Sequence, residues 1–150
     1  MKLASALVER SDLQRKISEL SNRLNTNAKV QDGEEPAEKP EELLEELDSV
    51  MTRLEELVTK INLTNSSVVV EGKTLTEWLA KRDCLKQRIG LLRGFLNSAS
   101  EKIDRYSRAE IKIVSTVNVK ALQKDVDVLS KTLRETDEKI QEINWTTELL

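Results

Sequence analysis

The sequence predicts a mainly α-helical protein: an antiparallel four-helix bundle with long coiled-coil-like helices and a small two-stranded β ribbon. Of 150 residues, 4 are Gly and 2 are Pro, and 34% are charged, a composition typical of long helices. Apolar residues recur at alternating spacings of three and four along four stretches, the pattern of helices packed along a seam. A chain of this length is expected to form a single domain, residues 1–150.

The first helix is predicted from about Leu3 to Leu24. Arg10 falls on its seam, between Ala6 and Leu13. Either the stem of this arginine packs while its guanidinium reaches water, or the arginine forms a buried ion pair that fixes the register of the helices. The seam residues are Leu3, Ala6, Leu13, Ile17, Leu20 and Leu24.

An acidic segment, residues 32–48, follows the first helix. It holds nine Asp and Glu residues against one Lys, a net charge of −8. Gly33, Pro36 and Pro40 predict a connecting loop over about residues 28–40. Pro40 is suited to be the first residue of the second helix, because it needs no backbone N–H there.

The second helix carries an unusually wide apolar stripe. Its seam residues are Leu43, Leu47, Val50, Leu54, Leu57 and Ile61. Leu44, Met51 and Val58 widen the stripe beyond that seam. We therefore expect this helix to contact more than one neighbour.

A short strand is predicted from Ser66 to Val70, with a turn at residues 71–73. Thr74 and Glu77 then form a capping box that starts the third helix. Arg82 takes a seam position in this helix, so the two interpretations of Arg10 apply to it as well, and both are candidates for a buried ion pair. The apolar seam residues are Trp78, Leu85, Ile89, Leu92 and Leu96.

Residues 110–119 alternate apolar and polar side chains, which is the period of a strand. Because a lone strand leaves its backbone unpaired, residues 66–70 are its expected mate, in a ribbon of about residues 66–70 with 110–118. One edge of this ribbon stays open and favours pairing with a second copy of the chain. The predicted subunit-contact residues are Arg105, Arg108, Lys112, Val114 and Thr116, with Arg105 and Arg108 directed to the acidic segment.

The fourth helix is predicted from near Asn118, a good cap, to about Thr147. Its apolar rhythm is interrupted at Thr136. The seam residues are Leu122, Val126, Leu129, Leu133, Thr136, Ile140 and Ile143.

The composition argues against enzymatic chemistry. Histidine is absent, which removes the commonest general base, histidine-dependent nucleophiles and histidine metal sites. Cys84 has no second thiol with which to form an internal disulfide, and the chain has no glycine-rich phosphate loop. We therefore expect no catalytic residue, cofactor, metal site or small-molecule substrate.

The sequence points to the cytoplasm. No apolar run approaches 18 residues, so no membrane-spanning helix is predicted and we expect no membrane partner. The N-terminal residues become charged at Glu9, too early for the apolar region of a signal peptide. A reducing compartment also fits a single cysteine.

Charge is unevenly distributed. Residues 81–112 carry nine Lys and Arg against four Asp and Glu, a net of +5. Such a stretch can bind phosphate backbones, but a pI near 5.3 and one nearby aromatic, Tyr106, argue against a nucleic-acid surface. The favoured interpretation is that the basic stretch and the acidic segment attract each other, within or between subunits.

Three stretches carry a family resemblance. "NAKVQDGEEPAEKPEELL" at residues 27–44, "DRYSRAEIKIVSTVNVKALQK" at 104–124 and "INWTTEL" at 143–149 resemble, in this order, small bacterial helical proteins labelled septicolysin, mostly of unassigned function. The label implies a cytolytic, pore-forming activity. The residues themselves favour a non-enzymatic structural or interaction protein that assembles into a homo-oligomer. A cytolysin and a weak nucleic-acid-binding protein are the alternatives.

Overall fold

The computed structural model describes residues 1–101 and 112–150. Over these residues the chain is mainly helical, with four helices and a small antiparallel sheet, as the sequence predicts. The elements are α1 (Leu3–Thr26), α2 (Pro40–Ser67), β1 (Val69–Val70), β2 (Lys73–Thr74), α3 (Leu75–Ser100) and α4 (Val119–Thr146). They form two compact units: unit 1 is Met1–Leu75 with Glu142–Leu150, and unit 2 is Thr76–Gln141.

The two helices of unit 1 start and stop at recognisable signals. At the end of α1, Asn27 is buried, and its side-chain Nδ2 donates to the Arg23 carbonyl at 2.9 Å. The connection to α2 takes residues 27–39. Pro40 then occupies the first turn of α2, where Glu41 and Glu42 complement the positive helix start.

In the structure α2 is longer than the sequence predicts, and it includes Ser66 and Ser67 instead of ending before a strand. The reason is that Thr64 continues the seam and is completely buried. The helical hydrogen bonding also continues past it, because the Val68 N–H donates to the Thr64 carbonyl at 3.0 Å. Tertiary burial therefore overrides the strand preference of the residues around Ser66.

The predicted ribbon of residues 66–70 with 110–118 is wrong. Val69 pairs with Thr74 and Val70 with Lys73, while residues 112–118 form no strand and residues 110–111 lie outside the described part. The turn between the strands is Glu71-Gly72, with φ of 52° and 77°. Positive φ at both central residues suits a two-residue hairpin, and Gly72 adopts it without strain. A local hairpin also closes a far shorter loop than the predicted pairing would.

Unit 1 has its own core. Leu3, Ala6 and Leu20 of α1 are buried, as are Leu57 and other residues of α2. The last residues of the chain are hydrogen-bonded to this unit: the Leu149 N–H donates to the Met1 carbonyl at 2.8 Å, and the Leu150 N–H donates to Thr64 Oγ1 at 3.1 Å. Buried side chains contributed by α2 and the following residues are Leu43, Leu57, Ile61, Thr64 and Leu75.

Unit 2 is built on α3 and the greater part of α4. Its core is Ile89, Leu96 and Val126, against which Leu92, Val119, Leu122, Leu129 and Leu133 pack. Asn118 caps α4 as predicted, because its Oδ1 accepts the Ala121 N–H at 3.0 Å. Thr136 interrupts the apolar seam of α4. Its hydroxyl is hydrogen-bonded, because Oγ1 donates to the Thr132 carbonyl at 2.8 Å.

Candidate interaction surface

An apolar surface of unit 2 faces solvent. Leu91, Phe95, Ile113 and Val114 are 69%, 45%, 63% and 65% exposed, and we call these four residues the apolar patch. An open cleft of about 240 Å³ separates the end of α3 from residues 113–116. Its lining is Phe95, Ser98, Ala99, Glu101, Ile113, Val114, Ser115 and Thr116.

The core packing of α3 leaves Leu91 and Phe95 outside. Ile89, Leu92 and Leu96 turn toward the unit 2 core. Leu91 and Phe95 are one turn apart, so they share a neighbouring face of the helix. This face presents a large aliphatic and an aromatic side chain that no described part of the chain covers fully.

Residues 112–118 contribute the other two members of the apolar patch, Ile113 and Val114. Ser115 Oγ donates to the Val117 carbonyl at 3.1 Å and accepts the Val117 N–H at 3.4 Å. This local turn and the Asn118 cap fix the entry to α4. Ile113 and Val114 precede the turn and line the cleft beside Phe95.

The predicted subunit-contact residues fall partly on this surface. Val114 and Thr116 line the cleft, and Lys112 is exposed directly before Ile113. Arg105 and Arg108 lie outside the described residues. Successive residues of a strand on a helical layer would differ in burial, since they point to opposite faces, but Ile113 and Val114 are both exposed.

Among the described residues, the charged rim of the patch is mainly basic. Arg88 stands three residues before Leu91 on the same face of α3 and is exposed. Lys112 adds a second exposed cation, while Glu101 contributes one carboxylate to the cleft lining. An apolar surface with cations at its rim suits a partner surface with acidic neighbours.

The two seam arginines are half-buried rather than buried. Arg82 Nη2 lies 2.9 Å from Oδ1 of Asp83, with the two side chains 26% and 63% exposed, so the pair reaches solvent. Among the described residues, no carboxylate lies within ion-pair distance of Arg10, which is also half-buried. Both side chains are therefore partly exposed to solvent.

Sequence reasoning missed a column of ion pairs along unit 1. Glu9 Oε1 lies 2.6 Å from Arg53 Nε, Lys16 Nζ lies 2.5 Å from Glu46 Oε1, and the Arg23 guanidinium pairs with the Glu38 carboxylate. We call these three pairs the ion-pair column. The α1 members are seven residues apart and their partners run in the reverse order, so α1 and α2 pack antiparallel. The seven-residue spacing of Glu9, Lys16 and Arg23 was the signal in the sequence.

The acidic segment is therefore partly used within unit 1. The Glu38 carboxylate accepts from Arg23 Nε at 3.0 and 3.2 Å, and the Glu38 N–H donates to Asn27 Oδ1 at 3.0 Å. The hydrogen bonds from Arg23 lower the pKa of Glu38. This arrangement ties the loop to the end of α1 and leaves other carboxylates of the segment free for other contacts.

The described residues offer few other kinds of site. In residues 1–101 and 112–150, no group of three or more Cys, Asp or Glu side chains is arranged to hold a metal ion. Cys84 is exposed. None of the helices in the described ranges is long and apolar enough to cross a membrane.

Comparison with known proteins places the chain among proteins without an assigned activity. The model of a family of unknown function, DUF6847, matches residues 10–149. A solved structure, described as the crystal structure of a functionally unknown conserved protein from Corynebacterium diphtheriae, is 43% identical in sequence. It matches with a TM-score of 0.88 over 100% of this chain and 99% of that chain. No curated protein matches.

Proposed function

Because this chain belongs to the DUF6847 family, whose function is unknown, we propose a function from its own surfaces. It is a non-enzymatic structural or interaction protein that associates with itself into a homo-oligomer. The contact is the apolar patch of unit 2.

The observation that carries this proposal is the exposure of the patch. Four large apolar side chains, each between 45% and 69% exposed, adjoin one cleft or the helix turn beside it. Contiguous apolar surface with polar residues at its rim is typical of protein interaction sites. Burying it against a partner removes apolar area from water, which is the main driving force of association.

The non-enzymatic part of the proposal rests on composition. The whole sequence has no histidine and one cysteine, so the most frequent general base and the usual nucleophile–base pairs have no residues to form them. The proposal also keeps the cytoplasmic location and the antiparallel four-helix bundle predicted from the sequence. The antiparallel packing of α1 and α2 supports the bundle for one of its helix pairs.

Two other functions stay as alternatives. The resemblance to septicolysin-labelled proteins implies membrane lysis, and release of dye from vesicles at micromolar protein is the result that would favour it. The basic stretch of residues 81–112 supports weak nucleic-acid binding, and binding that weakens steeply with salt is its signature.

Mass in solution tests the proposed function. We expect light scattering to give a mass well above the 17.1 kDa of one chain at micromolar concentration. Replacing Phe95 or Val114 by Asp places a charge in the contact, so the mass of these variants falls toward that of one chain. Val8→Asp is the matched control, because Val8 on α1 is 59% exposed and lies outside the patch.

Different outcomes of this experiment test self-association and the role of the apolar patch separately. A wild-type protein with the mass of one chain over the whole concentration range would overturn self-association. An oligomer that both Phe95→Asp and Val114→Asp leave intact would show that the patch is not the contact. Circular dichroism of each variant verifies that the helices are retained.

A further inference from the structure

The two long sides of the seam between α1 and α2 carry different kinds of side chain. One side is closed by the ion-pair column. Leu44 and Met51 each stand two residues before a member of that column, Glu46 and Arg53, and two residues turn an α-helix by roughly 200°. Leu44 and Met51 therefore lie on the side of the seam opposite the ion pairs.

On this second side, apolar side chains face solvent. Leu44 is 53% and Met51 is 48% exposed, and Val58, seven residues after Met51, is half-buried. We call Leu44, Met51 and Val58 the α2 stripe. The sequence predicts that these residues contact a further neighbour, and their exposure leaves that neighbour to be identified.

The outer rim of the α2 stripe is acidic. Glu41, Asp48 and Glu55 are spaced by seven residues and lie three or four positions from a stripe residue, so they form the next row on the helix surface. All three are exposed. No described basic side chain lies within ion-pair distance of any of them, in contrast to Glu46 in the ion-pair column.

The charges of the two apolar surfaces decide which pairings are favourable. Two α2 stripes placed together would bring like-charged carboxylate rows near each other, and two patches would bring Arg88 and Lys112 near their own copies. Like-charge juxtaposition of this kind suppresses a pairing. A patch against a stripe instead sets cations opposite carboxylates around a shared apolar centre.

We infer that the partner of the apolar patch is the α2 stripe of a second copy of this chain. The inference rests on the proposed self-association and names its second surface. Because each copy carries one patch and one stripe, each copy offers both halves of this contact to other copies.

Two charge-reversed variants test this pairing. The stripe variant is Asp48→Lys with Glu55→Lys, both away from the first turn of α2, where helix-start charges matter. The patch variant is Arg88→Glu with Lys112→Glu. In each variant alone, every contact between a patch and a stripe sets like charges against each other, so we expect self-association to weaken about tenfold or more.

Mixing the two variants is the decisive measurement. The basic stripe of one variant then faces the acidic patch of the other, and the remaining two surfaces keep their wild-type charges. We expect light scattering of the equimolar mixture to recover the wild-type mass, with a dissociation constant within about threefold of wild type.

The remaining outcomes distinguish this inference from the proposed function. If the patch variant dissociates while the stripe variant keeps the wild-type mass, self-association through the patch holds and the stripe is not its partner. A mixture that stays at the mass of one chain also overturns the pairing. Wild-type protein with the mass of one chain overturns both proposals. Glu45→Lys is the control, since Glu45 is exposed on α2 one position beyond the stripe residue Leu44, on the outer face of the helix.

Discussion

The Arg53 guanidinium donates two hydrogen bonds to the Glu9 carboxylate, from Nε to Oε1 at 2.6 Å and from Nη2 to Oε2 at 3.1 Å. This two-point contact joins α2 to α1 near the start of α1. It lowers the pKa of Glu9 and raises that of Arg53, in both cases chiefly through the hydrogen bonds themselves. Paired hydrogen bonds of this kind fix orientation as well as distance.

A charge exchange measures the contribution of this contact. Arg53→Glu sets a carboxylate against Glu9 and should lower the urea midpoint of unfolding. The double variant Glu9→Arg with Arg53→Glu restores opposite charges and should recover about half of that loss or more, since the two sites are coupled. If the effects of Glu9→Arg and Arg53→Glu, each measured alone, simply add in the double variant, the pair contributes no coupling.

Acid should destabilise the protein through four carboxylates. Each has a pKa below the ordinary 4.5, chiefly because a side-chain hydrogen bond stabilises its ionised form: Glu9 with Arg53, Glu38 with Arg23, Glu46 with Lys16 and Glu148 with Lys2. A lowered folded pKa means that the unfolded chain binds more protons in acid. This stability is therefore fully present above pH 4.5 and is lost as the pH falls through the folded pKa values.

Denaturant melts across about pH 3 to 7 check this dependence. Glu38→Gln removes one of the four titrating groups, so the decline in unfolding free energy on acidification should become shallower. A wild-type free energy that stays constant or rises below pH 4.5 would contradict the expectation.

Leu57 is a core residue of unit 1, and its truncation should be costly. Leu57→Ala removes a completely buried side chain and is expected to lower the unfolding free energy by about 2–5 kcal/mol. Leu63→Ala on the same helix is the control, because Leu63 is exposed and its loss should change stability by about 0.5 kcal/mol or less. Equal effects of the two substitutions would mean that Leu57 is not in the core.

Replacing either seam arginine, Arg10 or Arg82, by alanine should lower the free energy of unfolding only slightly. A buried ion pair would make either Arg10→Ala or Arg82→Ala cost about 3–5 kcal/mol. Since both side chains are half-buried and reach solvent, we expect about 1 kcal/mol or less, from lost packing of the stems. A loss in the larger range in denaturant melts would restore the buried-pair interpretation.

Sequence periodicity predicted the helices well because their start signals are local. Pro40 and Asn118 mark the beginnings of α2 and α4 as expected. The predicted ribbon was wrong because the turn that follows Val70 determines which residues pair with the first strand. Glu71 takes a positive φ that non-glycine residues seldom adopt, so the two-residue hairpin was not recognisable from residue types alone.

The candidate interaction surface was predicted in part. The alternating pattern that includes Val114 and Thr116 forms no strand in the structure, yet both residues line the cleft. Leu91 and Phe95 lie off the apolar seam of α3, so the seam pattern does not select them. Their spacing of four residues off the seam was visible, but whether the chain covers them depends on tertiary packing that the sequence does not reveal.

The signs in the ion-pair column also discriminate against misaligned hairpins. Along α1 the charges are negative at Glu9 and positive at Lys16 and Arg23. Their partners are positive at Arg53 and negative at Glu46 and Glu38. A hairpin slipped by seven residues in one direction would set Glu9 against Glu46, and one slipped the other way would set Lys16 against Arg53. The apolar repeat discriminates less strongly against such a slip, because most seam positions of both helices carry Leu, Ile or Val. The change of sign after Glu9 thus widens the energy gap between the native alignment and its nearest competitors.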